Sequence, residues 1–215
     1  MVDKTKRVVR CNRVGPTPFL ESLDEKILGA VRAMRQDNPS RHIRIVDVGA
    51  GSGHNMHHVR KLLSGPKSCK GYDLEPADSY IDKIDLVFQS MPELPESVDI
   101  ILCQYSLMFI PEYRLEEVLE MIHNMADDKA LLIFEVFDAK QGHYPTLPEL
   151  AKLVKKVNNF FFSRDWAPMP GASGEVFHKV FVKTIRKNTS ERKPLPDSGS
   201  LRQESKKRKR EKHES

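Results

Sequence analysis

No stretch of this 215-residue chain stays apolar for the roughly 18 to 20 residues that a bilayer-spanning helix needs, so a transmembrane class is not expected. The opening MVDKTKRVVRCNRV lacks the apolar centre of a secretory signal, and a soluble intracellular protein is expected. Cysteine is scarce: Cys11, Cys69 and Cys103 are scattered and form no CxxC pair. Such usage argues against a disulfide framework and a zinc ribbon, and suits thiols kept reduced. Repeats at the 20 to 50 residue periods of solenoids are also missing. With one substantial core within reach of this length, a single domain with tails is expected.

Charge is present but unevenly placed. The net charge is +5. Residues 187–215 carry 10 Lys/Arg against 5 Asp/Glu, so this tail alone accounts for +5, while residues 1–186 balance at 25 against 25. At the other end, Lys4, Lys6, Arg7, Arg10 and Arg13 face only Asp3 within the first 20 residues. The chain therefore divides into a basic arm (1–17), a domain (18–186) whose charge of −4 balances the arm, and a basic tail (187–215). The tail has no apolar periodicity and is expected to be disordered. Its block Lys206–Arg210, KKRKR, has the form of a nuclear import signal in a eukaryotic host, and equally of a tether for RNA or another nucleic acid.

Within the domain, Leu20, Leu23, Ile27, Leu28, Val31 and Met34 recur at helical spacing, predicting one amphipathic helix over 18–36. HIRIVDVGAG then reads as a buried strand ending in a glycine turn, followed by a helix from His54 to Ser64. Further strands are predicted at KSCKGYDL, DLVFQS, VDIILCQYS and KALLIFEVFD. One helix opens at Pro111, and a Thr146-Leu-Pro-Glu149 capping box opens another. NFFFSRDW and EVFHKVFVKTI around APMPGASG read as a closing hairpin. Strands that alternate with helices and are nearly continuous in apolar residues indicate an α/β fold with a mostly parallel, doubly covered sheet.

In such sheets ligands sit at the carboxyl ends of the strands where strand order reverses, usually at the first strand-to-helix turn. That turn is VDVGAGSG. Its glycines, Gly49, Gly51 and Gly53, follow GxGxG; the dinucleotide fingerprint would want glycine at position 54, which is His54. Asp47, just before the loop, would repel a pyrophosphate and would welcome an ammonium. A nucleotide-dependent oxidoreductase is therefore the weaker alternative.

VDVGAGSG resembles the first motif of class I S-adenosylmethionine-dependent methyltransferases, and YDLEP and VFQSMPELPESVDIILCQYSLMFIP resemble the acidic, third and fourth motifs in the family's order. The resemblance spans about residues 18–186. It implies a Rossmann-like, doubly wound seven-stranded sheet with a C-terminal antiparallel hairpin, and S-adenosyl-L-methionine as the methyl donor. It places Asp47, Gly49, Gly51 and Gly53 under the methionine part, Asp73 at the ribose, Ser90 and Met91 beside adenine, and Cys103 and Gln104 at the methionine end. Ser90 stands where many relatives have Asp.

The acceptor is harder to read. The end of strand four, Cys103-Gln104-Tyr105-Ser106, lacks the Asn/Asp-Pro-Pro-aromatic motif of base N-methyltransferases, and no Pro-Cys nucleophile is present. Tyr105 is the first candidate for positioning the acceptor as the catalytic-site residue, with His143, Tyr144 and Trp166 behind it; Trp166 alternatively packs beneath the hairpin. The basic ends favour RNA or an RNA-associated substrate over a protein or small molecule, and a non-catalytic module that keeps the fold stays open. His54, His57 and His58 share helical spacing, but no third ligand is placed to complete a metal site, and none is expected.

Overall fold

The structure is a computed structural model that describes residues 15–73, 85–88, 97–136, 146–169 and 178–184. The basic tail, Ser90, Met91, His143 and Tyr144, and all of the basic arm except residues 15–17, lie outside the described residues.

The domain begins with a cap. The Thr17 hydroxyl accepts the Leu20 N–H at 3.1 Å, and Pro18 starts helix α1 (Pro18–Glu21), where its missing N–H costs nothing. One helix was expected over 18–36; two are found, because the Ser22 hydroxyl donates to the Phe19 carbonyl at 2.7 Å and the chain re-starts as α2 (Asp24–Met34). The break lets Phe19 and Leu20 bury alongside Leu23, Ile27, Val31 and Met34.

Strand β1 (Ile43–Val48) leads through the glycine turn into α3 (His54–Leu62). There follow β2 (Lys67–Asp73), β3 (Asp85–Phe88), β4 (Val98–Gln104), a 3-10 turn at Leu107–Phe109 and α4 (Glu112–Met125). The chain ends with β5 (Ala126–Glu135), α5 (Leu147–Phe162), β6 (Trp166–Pro168) and β7 (His178–Lys183). The strands join in one sheet ordered β3-β2-β1-β4-β5-β7-β6, parallel except where β7 pairs with β5 and β6. Strand order reverses between β1 and β4, and a ligand crevice belongs there.

Alternation along the strands fills two cores. Ile43 and Ile45 of β1, Ile100 and Leu102 of β4, and Leu131 and Ile133 of β5 pack with α1, α2 and α3. Ile101 and Cys103 of β4, and Leu132 and Phe134 of β5, pack with α4 and α5. Strands buried on both faces must read as unbroken apolar runs, and these do.

Two further boundaries differ from expectation. NFFF is not a strand arm: α5 runs on to Phe162, because Val157, Phe160 and Phe161 continue the buried stripe of Leu150 and Val154, and only Trp166 enters a strand. β5 starts at Ala126, three residues earlier than the apolar run suggests. Ala126 ends α4 and pairs at once with Val98; Ile100 then pairs with Leu131, so five residues of β5 span what two cover on β4. Lys129 takes φ +66° inside this bulge. Arg41 clamps the region, bonding to Asp99 and, at 2.8 Å, to Asp127, while Asp99 also accepts the Arg44 N–H. The capping box at Thr146 is present, with Glu149 accepting the Thr146 N–H at 2.9 Å.

Candidate active site

The glycine turn is built from backbone that side chains resist. Gly49, Gly51 and Gly53 have φ of +82°, +52° and +82°. The N–H groups of Gly49 and Ala50 both donate to the Tyr72 carbonyl, at 2.8 and 3.0 Å, folding the turn back over the end of β2. At Gly49 a second demand is added, since a Cβ there would overlap Ser106 Cβ and lie 3.1 Å from its Oγ. Asp73, the last residue of β2, accepts the Gly51 N–H at 2.7 Å and so braces the turn from its other side.

Asp47 lies next to this turn, 1 % exposed, and neither of its carboxylate oxygens has a hydrogen-bond partner. Burial, with the nearby Asp73 charge adding to it, pushes its carboxyl up to about 8. On β4, Gln104 is 3 % exposed and donates through Nε2 to Thr17 Oγ1 at 2.9 Å and to Glu135 Oε2 at 2.7 Å, while its Oε1 is buried without a partner. Three buried acceptor oxygens thus go unanswered at the carboxyl ends of β1 and β4. Buried polar atoms rarely stay unpaired; once Asp47 gives up the proton that burial holds on it, all three oxygens are acceptors, a set that suits a donor-rich, positively charged group. An ammonium, with one charge and three N–H donors, fits that demand.

Gln104 pairs in register with Glu135, and Glu135 with His178, so three polar side chains follow one another across β4, β5 and β7. Alternation puts them, with Asp47, on the face covered by α1 and α3. Glu135 is 2 % exposed; Tyr105 donates its hydroxyl to Oε1 at 2.6 Å, and His178 Nε2 lies 3.3 Å from the same oxygen. Burial pushes the Glu135 carboxyl up, yet the hydrogen bonds from His178, Tyr105, Thr17 and Gln104 outweigh burial and hold it below its ordinary value. Phe19 stacks on the His178 ring at 4.3 Å, and Asn55 at the start of α3 accepts the Thr17 N–H at 3.0 Å. Tyr105 itself sits at φ +59°, with its N–H bonded to the Glu135 carbonyl at 2.8 Å. A non-glycine residue in that region is held by its surroundings, and such strain gathers at functional sites.

The structure therefore brings Asp47, the three glycines, Asp73, Gln104 and Tyr105 to one edge of the sheet. Cys103 is turned the other way, fully buried among the α4 and α5 packing, its thiol pushed up to about 12 chiefly by burial and its Sγ 3.3 Å from Ser106 Oγ. Trp166 is not at the site: it is 4 % exposed, and its indole donates to His123 Nδ1 at 2.9 Å within the core. His58 Nε2 pairs with Asp24 Oδ1 at 2.8 Å, and among the described residues no group of three His, Cys, Asp or Glu is arranged to hold a metal. No described helix is long and apolar enough to cross a membrane. Glu135, His178 and Thr17 were missed from sequence, although a lone carboxylate ending the apolar run ALLIFE was a usable signal.

Comparison with known proteins bears on the same residues. A family described as "Methyltransferase domain" matches residues 19–172. No curated protein sequence is similar. Among solved structures, the plantazolicin methyltransferase, seen with a triazolic desmethylPZN analogue and SAH, is 13% identical, with 79% of this chain and 86% of that one covered and a TM-score of 0.53. The SAM-bound amino pentose methyltransferase from Micromonospora echinaspora is 12% identical over 75% and 91%, with a TM-score of 0.51. At these identities the likeness concerns the fold alone. With the family matched across most of the domain, the chain belongs to the S-adenosylmethionine-dependent methyltransferases, as a Rossmann-like α/β member.

Proposed function

We propose that Asp47 and Gln104 Oε1 receive the ammonium of S-adenosylmethionine, that Gly49, Gly51 and Gly53 form the floor beneath its methionine part, and that Asp73, braced by Gly51, holds the ribose. The family resemblance alone assigns Ser90 and Met91, outside the described residues, to the adenine, and Cys103 supports this end only through its contact with Ser106, the residue that closes on Gly49. The observation that carries these roles is the set of three buried, unanswered acceptor oxygens beside a turn that only glycine can form. Bound there, S-adenosylmethionine supplies an electrophilic methyl group on a sulfonium. The acceptor enters over the carboxyl ends of β4 and β5, where Tyr105, fixed by Glu135, positions it; alignment of the nucleophile supplies much of the acceleration in such a transfer. A plantazolicin methyltransferase and an amino pentose methyltransferase share this fold, so the fold does not select the acceptor and the Tyr105–Glu135 corner must.

Calorimetric titration with S-adenosylhomocysteine tests the assignment. Binding to the wild type that is weakened tenfold or more in Asp73→Ala is expected; absence of binding at high micromolar concentration overturns it.

A second reading, of RNA or an RNA-associated substrate brought by the basic ends, is favoured by the placement of positive charge, +4 and +5, at the two ends of a chain whose domain between them carries no excess of positive charge. Removal of residues 187–215 should then weaken RNA binding and flatten its salt dependence, and an unchanged affinity and slope count against it.

A further inference from the structure

At the carboxyl edge of the sheet, β5 and β7 present a couple with the geometry of an oriented imidazole. His178 opens β7 directly opposite Glu135, with Nε2 3.3 Å from Oε1. Phe19 stacks on the ring with an interplanar angle of 16°, fixing its plane, while the His178 side chain keeps 25% exposure. Glu135 takes donors from Gln104 and Tyr105 as well, so its own position is fixed from two strands. Burying an ionised carboxylate is costly, and four donors are arranged to hold it so. An ionised Glu135 facing Nε2 favours the tautomer with its proton there, which makes Nδ1 the basic atom and stabilises the imidazolium once it forms.

We propose that His178 is the general base of the methyl transfer, oriented by Glu135, and that the acceptor is accordingly a hydroxyl or amine that must lose a proton. This rests on the methyltransferase site assigned above and adds the acceptor's chemical class. In the step, the acceptor heteroatom forms a bond to the methyl carbon as the carbon–sulfur bond breaks, its electron pair remaining on sulfur as a neutral thioether. The acceptor's proton passes to His178 Nδ1 and afterwards to water. Titratable and charged groups that face the ring include Glu135 from β5 and Tyr105 from the end of β4; α1 and its cap present Phe19 and Thr17, which do not titrate. Lys179 follows on β7 and alternates to the opposite face. General bases of this kind contribute about 100- to 10,000-fold.

An experiment that needs no acceptor tests this on the full chain. The His178 ring is titrated by NMR in complexes with S-adenosylmethionine and with S-adenosylhomocysteine, which differ by the methyl group and one positive charge. If His178 stands at the reacting end, its midpoint is lower in the S-adenosylmethionine complex by about half a pH unit or more, as a charge within about 8 Å requires. In Glu135→Gln the midpoint falls by about one pH unit, and His178→Asn binds S-adenosylhomocysteine as the wild type does. Identical midpoints in the two complexes, or a midpoint unmoved by Glu135→Gln, overturn the proposal; the first comparison uses wild-type protein and does not depend on the variants folding. Failure of the wild type to bind S-adenosylhomocysteine is a separate outcome, and it removes the site itself.

Discussion

Asp47→Asn should make the ligand-free protein more stable and its cofactor binding weaker. In the folded chain Asp47 keeps its proton up to about pH 8, whereas the ordinary carboxyl of the unfolded chain, at 3.8, loses it well below neutrality. Between these limits the folded state binds the extra proton, so this group's contribution to stability falls as pH rises from about 4 to 8 and levels off above. At pH 7 the gap is about 3 pH steps of about 1.36 kcal/mol each, an upper bound near 4 kcal/mol. Asparagine has no such proton to gain or lose. Urea denaturation of the two proteins from pH 5 to pH 8 should show a stability difference in favour of Asp47→Asn that widens with pH and exceeds about 1 kcal/mol at neutrality. Calorimetry should show the opposite for ligand: the lost charged hydrogen bond, about 1.5 to 3 kcal/mol, weakens S-adenosylhomocysteine binding roughly 10- to 200-fold. Wild-type affinity should also rise with pH towards 8, because the ammonium takes the ionised carboxylate, and the variant's should stay flat. A variant that is less stable at every pH, or that binds equally well, refutes the buried, unanswered carboxylate as the ammonium site.

Gly49→Ala combines a left-handed backbone cost of about 1 to 2 kcal/mol with overlap against Ser106 costing about 1 to 3 kcal/mol. Thermal unfolding should fall by about 5 to 15 °C. The double variant with Ser106→Gly should recover the overlap part, and a cycle with no coupling would remove the close approach as a cause. Trp166→Phe takes the indole donor from buried His123 and should destabilise by about 1 to 3 kcal/mol in urea while leaving S-adenosylhomocysteine affinity unchanged; a loss of affinity would return Trp166 to the site.

The central strands and the glycine turn were legible because their constraints are local. A strand buried on both faces has to be apolar throughout, as in Ile43–Val48 and Val98–Gln104, and a turn at positive φ beside Ser106 has to be glycine. The end of α5 was misread because Phe160, Phe161 and Phe162 carry strand propensity, and packing on the buried stripe of Val154 and Val157 overrode it. The start of β5 was hidden by Asp127, Asp128 and Lys129, polar residues that a strand admits only because a bulge lifts them from the ladder and Arg41 neutralises Asp127. Glu135 and His178 were missed for another reason. The carboxylate that ends ALLIFE marks Glu135 alone; the meaning of the two is a pairing across β5 and β7, 43 positions apart, and nothing near either residue announces that pairing.

The fused joint of α4 and β5 also acts as a ruler. With no loop between Met125 and Ala126, the distance from the helix end to the tip of β5 is counted in residues, and the tip is Glu135. One residue added beyond the bulge would carry the carboxylate about 3.3 Å along the sheet and turn it to the α4 and α5 face, away from Gln104, Tyr105 and His178 together. The length of this seam is thus as much a part of the acceptor corner as the residues that line it, and lengthening the chain there would disarm the corner without changing any of its side chains.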